Sequence, residues 1–293
     1  MIKKIFILFI TLLLISGCAE KKEPYVFTVD DLPDLDYSNI QEFDFDLHSQ
    51  EYLLVNLSEL NVLYGKDIDK QIYPASLTKL FTLDTILHLC DNLDDTSFIT
   101  REQHDYLIEE NASIAWLEVN EPYTIEELLY ALILPSGADA ALALENCVSL
   151  KGYNLVDEMN KLCENLGLNN SHFTNTTGLH DDDLYTTLDD ILKLVIDVLK
   201  YDTARKILKS TNARLHDDTP TISTLIATLN PYVHIYGGKT GTTDESGQSV
   251  LVFYEYQNRN YMLIVANAMG HKYKEYFHLD DALKVFEQLY KKS

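Results

Sequence analysis

Ser76-Leu77-Thr78-Lys79 is the only Ser-x-x-Lys in the chain. Pro74 precedes it and a helical pattern follows, which puts the serine at a helix start. Backbone N–H donors and the positive end of the helix dipole favour developing negative charge there. Lys79 lies one turn further on, on the same face. Its neighbours Thr78, Leu80 and Phe81 belong to a largely apolar segment, and burial disfavours an ammonium. An uncharged amine at that place takes the hydroxyl proton and makes Ser76 a nucleophile. Taken alone, the spacing more often marks an N-cap serine beside a solvated lysine.

Two further segments carry suitable groups. Leu134-Pro135-Ser136-Gly137-Ala138-Asp139 lies between two helical patterns. A serine on such a turn projects into a cleft and relays a proton; equally, Ser136 or Asp139 caps the next helix. Gly237-Gly238-Lys239-Thr240-Gly241-Thr242 lies on a strand-like run. Glycine lets a ligand lie against the backbone, and a lysine with two threonine hydroxyls suits a carboxylate. The plain reading of that segment is a glycine-rich bend with a solvated lysine.

The elements that must position these groups are legible from periodicity. Tyr52–Leu57 and Asn61–Tyr64 read as a β-hairpin. Ser76 to Cys90 carries Leu80, Phe81, Leu83, Ile86 and Leu87 at helical spacing, predicting a deeply buried helix. Thr124-Ile125-Glu126-Glu127 is a capping-box pattern that opens a helix ended by Pro135 and Gly137. Helical patterns follow at 139–148, 155–166, 189–199 and 203–209. Strand-like runs follow at 232–236 leading into Lys239, 249–256 and 261–268, and a last helix at 275–290. Strands at both ends with helices between predict an α+β fold, an antiparallel sheet closed by its two termini and covered by helices. Trp116 and its apolar neighbours read as core.

With 293 residues and 46% apolar content, the chain supports one sizeable core. A net charge of −23 without a basic cluster speaks against nucleic acid as a partner. Lys3 and Lys4, an apolar run from Ile5 to Ile15 and Ser16-Gly17-Cys18 read as an export signal. The apolar run is shorter than the ~20 residues of an ordinary spanning helix. Ala19 to Leu47 is acidic, carries Pro24 and Pro33, and reads as a tether. Its aromatics Tyr25, Phe27, Phe43 and Phe45 allow partial docking. Cys90 reads as a small core residue; Cys147 and Cys163 either pair or stay as buried thiols. No Cys/His spacing matches a zinc site. His48, His104, His216 and His234 read as structural or solvated.

Ser-x-x-Lys, Ser-Gly-x and Lys-Thr-Gly, in that order, make up the signature of penicillin-binding proteins and class A β-lactamases. From Tyr52 onward the chain resembles the low-molecular-mass penicillin-binding proteins that are D-alanyl-D-alanine carboxypeptidases, serine peptidase family S11. Val62–Lys66 with Tyr73–Lys79 resembles that family, as do Glu126–Tyr130 leading into Leu134–Gly137, Leu166–Leu168, Thr177–Asp181 and Lys239–Gly247. The resemblance implies a β-lactamase/transpeptidase-like fold with an all-helical subdomain, spanning residues 48–293. It implies Ser76 as the acylated nucleophile, Lys79 as its base and Ser136 as proton shuttle. Lys239, Thr240 and Thr242 would hold the substrate carboxylate, and the N–H groups of Ser76 and Thr242 would form the oxyanion hole. The substrate would be a peptidoglycan stem peptide ending in D-Ala-D-Ala, with β-lactams as covalent inhibitors and neither metal nor organic cofactor. His180 would hold the loop Thr177–Asp183.

Leu14-Ile15-Ser16-Gly17-Cys18 also resembles the lipobox. That implies a lipoprotein signal peptide over 1–17, diacylated Cys18, an acidic tether over 18–47, and anchoring to the outer face of the cell membrane. Cleavage would remove two lysines and move the charge from −23 to −25.

Three departures from the family are expected to matter. The second motif has Ala138 where the family has asparagine. An expected arginine is replaced near Met269-Gly270 by His271 and Lys272. The chain stops at Ser293, without the further β-rich domain and anchor helix of many relatives. Ala138 motivates an alternative, a catalytically impaired wall-peptide-binding lipoprotein. A penicillin-hydrolysing β-lactamase relative is the other; that class needs a Glu-x-x-Leu-Asn glutamate, which neither Glu158 nor Glu164 supplies.

Overall fold

The computed structural model describes residues 33–225, 235–269 and 275–291. In chain order the elements are β1 (Glu51–Asn56), β2 (Asn61–Lys66), a 3-10 turn (Ala75–Leu77), α1 (Thr78–Leu89), β3 (Thr96–Ser97), α2 (Arg101–Glu109), β4 (Tyr123–Thr124), α3 (Ile125–Ile133), α4 (Ala138–Leu150), α5 (Leu155–Leu166), α6 (Leu188–Val198), α7 (Asp202–Lys209), β5 (Asn212–Arg214), β6 (Pro220–Ile222), β7 (Ile235–Thr243), β8 (Gly247–Tyr256), β9 (Arg259–Ala268) and α8 (Phe277–Lys291). The main sheet is antiparallel with order β2-β1-β9-β8-β7. The first hairpin therefore pairs with the last strands, as the sequence predicts, and β7 is left on an edge.

Alternating side chains of β1, β8 and β9 fill two cores. Leu53, Val55, Leu251, Phe253, Met262 and Ile264 point toward the helical layer. Tyr52, Leu54, Val250, Val252, Leu263 and Val265 point the other way, onto Leu279, Ala282, Val285 and Phe286 of α8. In the helical layer α1 runs through the centre, and every residue from Thr78 to Leu87 is buried. A helix packed on every side buries its polar residues Lys79 and Asp84 along with its apolar ones.

The Thr124/Glu127 capping box forms as read: Glu127 N donates to Thr124 Oγ1 at 3.2 Å, and Thr124 N to Glu127 Oε2 at 2.9 Å. Helix α2 and the short β3–β4 and β5–β6 pairs were not anticipated. Only Leu107 of α2 is buried, so α2 shows no apolar stripe; its capping box at Thr100/Gln103 was the available signal.

The core reading of Trp116 is corrected: the side chain is 69% exposed. Its backbone has φ +63°, which turns the indole outward while Ala115 and Leu117 on either side stay buried. Cys90, Cys147 and Cys163 are free and buried. The thiol beside Cys147 is that of Cys90 at the end of α1, not that of Cys163. His48 stacks on Phe277 at 4.2 Å, and exposed His216 lies between Glu121 and Glu127. His234 is outside the described residues.

Residues from Asp36 to Phe45, read from the sequence as part of a tether, lie along the β2 edge. Asp36 and Gln41 form bridges to Asn61 and Tyr64, and Phe43 packs on Phe45, Tyr52 and Tyr64. Three aromatic contacts within 5 Å outweigh the disorder that the segment's acidic composition alone suggests.

Where this arm enters β1, the buried carboxylate of Asp281 on α8 accepts from Ser49 Oγ (2.6 Å), Ser49 N (2.7 Å) and His48 N (2.9 Å). Removing it strands donors in a closed place. Asp281→Ala is expected to lower unfolding free energy by about 2–4 kcal/mol in a urea titration, whereas an exposed change such as Glu102→Ala should stay within ~0.5 kcal/mol.

Candidate active site

The chain reaches the site through Pro74 and then Ala75, whose φ of +47° is unusual for a residue with a side chain. The turn Ala75–Leu77 feeds directly into α1 and leaves Ser76 half-buried at its mouth. Backbone strain of this kind persists only where the surroundings fix it. Two glycines do so by close approach. A Cβ on Gly178 would lie 2.0 Å from Ala75 O, and one on Gly241 would lie 2.9 Å from Pro74 O and 3.3 Å from Ser76 N. The loop after Thr177 and the edge strand β7 are thus pressed against the serine turn from two sides.

Lys79 Nζ is 3.1 Å from Ser76 Oγ and 2.5 Å from the Thr177 carbonyl. The side chain is 2% exposed. Burial brings the amine down to about 7, with the Asp139 charge pulling weakly the other way. A lysine so placed is partly neutral at physiological pH, and its lone pair has the serine hydroxyl within reach.

Lys239 is also wholly buried. Its Nζ donates to Ser136 Oγ at 2.8 Å and to Thr240 O at 2.8 Å. Burial, reinforced by the Lys79 charge, holds it well below the ordinary lysine range. Ser136 has φ +64° at the junction of α3 and α4, which aims its hydroxyl at Lys239. Thr240 Oγ1 lies 2.8 Å from Thr224 Oγ1, and Thr242 Oγ1 donates to Gly241 O at 2.8 Å; both threonines are half-buried. Tertiary folding therefore brings Ser76, Lys79, Ser136, Lys239, Thr240 and Thr242 into one neighbourhood. The Lys239 amine itself is covered by Ser136 and the Thr240 carbonyl, so the threonines present the more open surface.

Two partners of Lys79 carry no assigned role in the sequence reading. Thr177 holds the amine through its carbonyl, and Asp139 supplies the nearby negative charge. Asp139 is buried, and its carboxylate accepts from the N–H groups of Ala115 (2.8 Å), Leu117 (3.0 Å) and Ala140 (3.0 Å). It braces the segment that carries Trp116 and does not replace a motif amide. Ala138 is buried, with its N–H on Ser113 O at 2.8 Å. The signal for Thr177 was the following Gly178, whose φ of +76° and tight contact only glycine tolerates.

His180 sits as expected of a loop-holding residue. Its ring meets Tyr73 edge-on at 4.8 Å and lies 3.5 Å from Asp182 and 4.0 Å from Glu245. Beside it a cleft of about 330 Å³ is lined by Tyr73, Asp182, Tyr185, Glu245 and Asn267. Cys18, His271 and Lys272 lie outside the described residues.

The family model for D-alanyl-D-alanine carboxypeptidases matches residues 38–270. The chain is 31% identical over 196 residues to a D-alanyl-D-alanine carboxypeptidase of Streptomyces sp. strain K15, covering 63% of this chain and 67% of that one. It is 28% identical over 197 residues to D-alanyl-D-alanine carboxypeptidase DacF of Bacillus subtilis, covering 66% of this chain. The matched region spans 51% of that relative's length. The crystal structure of the Streptomyces K15 DD-transpeptidase superposes with a TM-score of 0.72 at 25% identity, over 84% of this chain and 98% of that one. A match that runs from the docked arm to the end of the last sheet strand makes this chain a member of the D-alanyl-D-alanine carboxypeptidase family.

Proposed function

We propose that the protein removes the terminal D-alanine from peptidoglycan stem peptides through an acyl-enzyme on Ser76. The observation that carries this reading is the Lys79 amine, buried, lowered to about 7 and 3.1 Å from Ser76 Oγ. Ser76 Oγ attacks the carbonyl of the penultimate D-alanine while Lys79 Nζ takes its proton. The N–H groups of Ser76 and Thr242 face the developing oxyanion, a kind of contact worth ~3 kcal/mol per donor. The proton passes through Ser136 to the departing amine of D-alanine, and water then attacks the ester and frees Ser76. Thr240 and Thr242 receive the substrate carboxylate, whose charge favours the ammonium form of Lys239 behind them. β-Lactams acylate the same serine and leave it slowly.

Ala138 removes an amide that would steady Lys79, and the Thr177 carbonyl at 2.5 Å supplies a hold of its own. This contact favours an active site over a peptide-binding relic. The lipobox-like stretch ending at Cys18 supports an exported protein with its amino-terminal cysteine lipidated. Two or more acyl chains anchor stably, where one binds marginally.

Intact-mass analysis after brief exposure to penicillin should show a single adduct on the natural chain and none on Ser76→Ala. Release of D-alanine from a pentapeptide should fall at least ~10³-fold in that variant. A folded natural chain that neither acquires the adduct nor releases D-alanine overturns the proposal.

Acylation needs the unprotonated Lys79 amine, so its rate should climb as pH rises through about 7 and level off above. A rise seen only near the ordinary lysine range, about 10, removes Lys79 as the base.

Mass analysis of protein from membranes should find Cys18 diacylated, and Cys18→Ala should release the chain from the membrane fraction.

A further inference from the structure

Away from the serine, α1 and α6 enclose a second polar cluster that the reaction leaves unused. Asp84 and His88 stand one turn apart on α1, and Asp197 faces them from the last turn of α6. One ligand atom from each lies within 4.8 Å of the others. His88 Nε2 is 2.7 Å from Asp197 Oδ2 and 3.7 Å from Asp84 Oδ1. Both carboxylates are 0% exposed.

An independent observation points to a missing ligand. Neither carboxylate oxygen of Asp84 meets an N–H or hydroxyl donor, although the residue is wholly buried and its near partner is a second acid, Asp197. Buried polar atoms are nearly always satisfied, and an uncompensated buried carboxylate is strongly unfavourable. One Asp84 oxygen lies in the space shared with His88 and Asp197. On the far side of the imidazole, His88 Nδ1 lies 3.0 Å from the Tyr201 hydroxyl. A hydrogen bond at that nitrogen orients the ring and keeps Nε2 facing the two carboxylates, as outer partners of metal-bound histidines do. Lys200 Nζ holds Asp197 Oδ1 at 2.7 Å and leaves Oδ2 for the interior. The Lys200 side chain is 39% exposed, so the cluster lies close to solvent at the helix ends.

We propose that Asp84, His88 and Asp197 form a divalent-cation site that pins the far end of the nucleophile helix to α6. One imidazole with two carboxylates suits Zn²⁺ better than Mg²⁺ or Ca²⁺, which favour all-oxygen shells. Tetrahedral Zn²⁺ spaces its N and O ligands ~3.3 Å apart, between the 2.7 and 3.7 Å found here. The site stands independently of the reaction assigned to Ser76.

The test uses the full chain in detergent, stripped with a chelator and titrated with Zn²⁺ by calorimetry. One equivalent should bind, raise the melting temperature, and be replaceable by Co²⁺ with the visible absorption of a tetrahedral centre. His88→Gln and Asp84→Asn should each weaken binding at least ~100-fold, and Tyr201→Phe about tenfold. His216→Ala should change nothing, which excludes the exposed His216/Glu121/Glu127 group as the binder. Absence of a stoichiometric, melting-linked equivalent in the natural chain overturns the site and needs no variant. So does unchanged affinity in His88→Gln or Asp84→Asn, or loss of binding in His216→Ala.

Discussion

A lysine amine is kept out of water beside a serine hydroxyl, with no carboxylate of the described residues in hydrogen-bond contact, and the architecture around it follows from that constraint. Burying an ammonium costs several kcal/mol unless it is paired, and the cheaper state is the neutral amine. The fold provides this by running α1 through the middle of the helical layer, buried from Thr78 to Leu87. The nearest acid, Asp139, has its carboxylate occupied by three backbone N–H groups, so it tempers the lowering of Lys79 without cancelling it. Lys239 adds a second buried amine nearby, itself lowered by burial and by the Lys79 charge.

Geometry has to be as tight as the electrostatics. The serine turn holds Ala75 at a left-handed φ, and two glycines allow neighbouring backbones to lie against it. Gly178 places the Thr177 carbonyl on the Lys79 amine, and Gly241 places β7 along the turn. Among the described residues β7 is a sheet edge, with no further strand paired to its outer side. The sheet that carries β7 is itself closed by the first hairpin, and α8 is tied to the start of β1 through Asp281. Chemistry in the middle of the chain thus depends on contacts between its ends.

Sequence reading went furthest where one local cause decides the outcome. The Thr124/Glu127 box, helix α5 at Leu155–Leu166 and the late strand-forming runs depend on capping and periodicity, and all were legible. It failed where the cause is remote. Trp116 sits among apolar neighbours, yet Asp139, more than 20 residues on, holds the flanking N–H groups and turns the indole outward. The aromatics of the acidic arm allow docking, and it is the strand edge with Tyr52 and Tyr64 that gives Phe43 its place. Helix α2 has a cap but no buried stripe, so periodicity could not reveal it.

The sequence by itself determined which groups are chemically available and which of them are neighbours: a serine and a lysine three residues apart share one helix face because 3.6 residues make a turn. It also determined the strands and helices whose faces alternate apolar and polar. The tertiary structure alone decided that Ser136 and Lys239, 103 residues apart, touch through a 2.8 Å hydrogen bond, that Thr177 rather than a motif amide steadies Lys79, and that Asp197 comes to face Asp84 and His88. The difference is physical. Backbone periodicity acts over a few residues, whereas burial, and with it the protonation of a lysine, is a property of everything packed around the group.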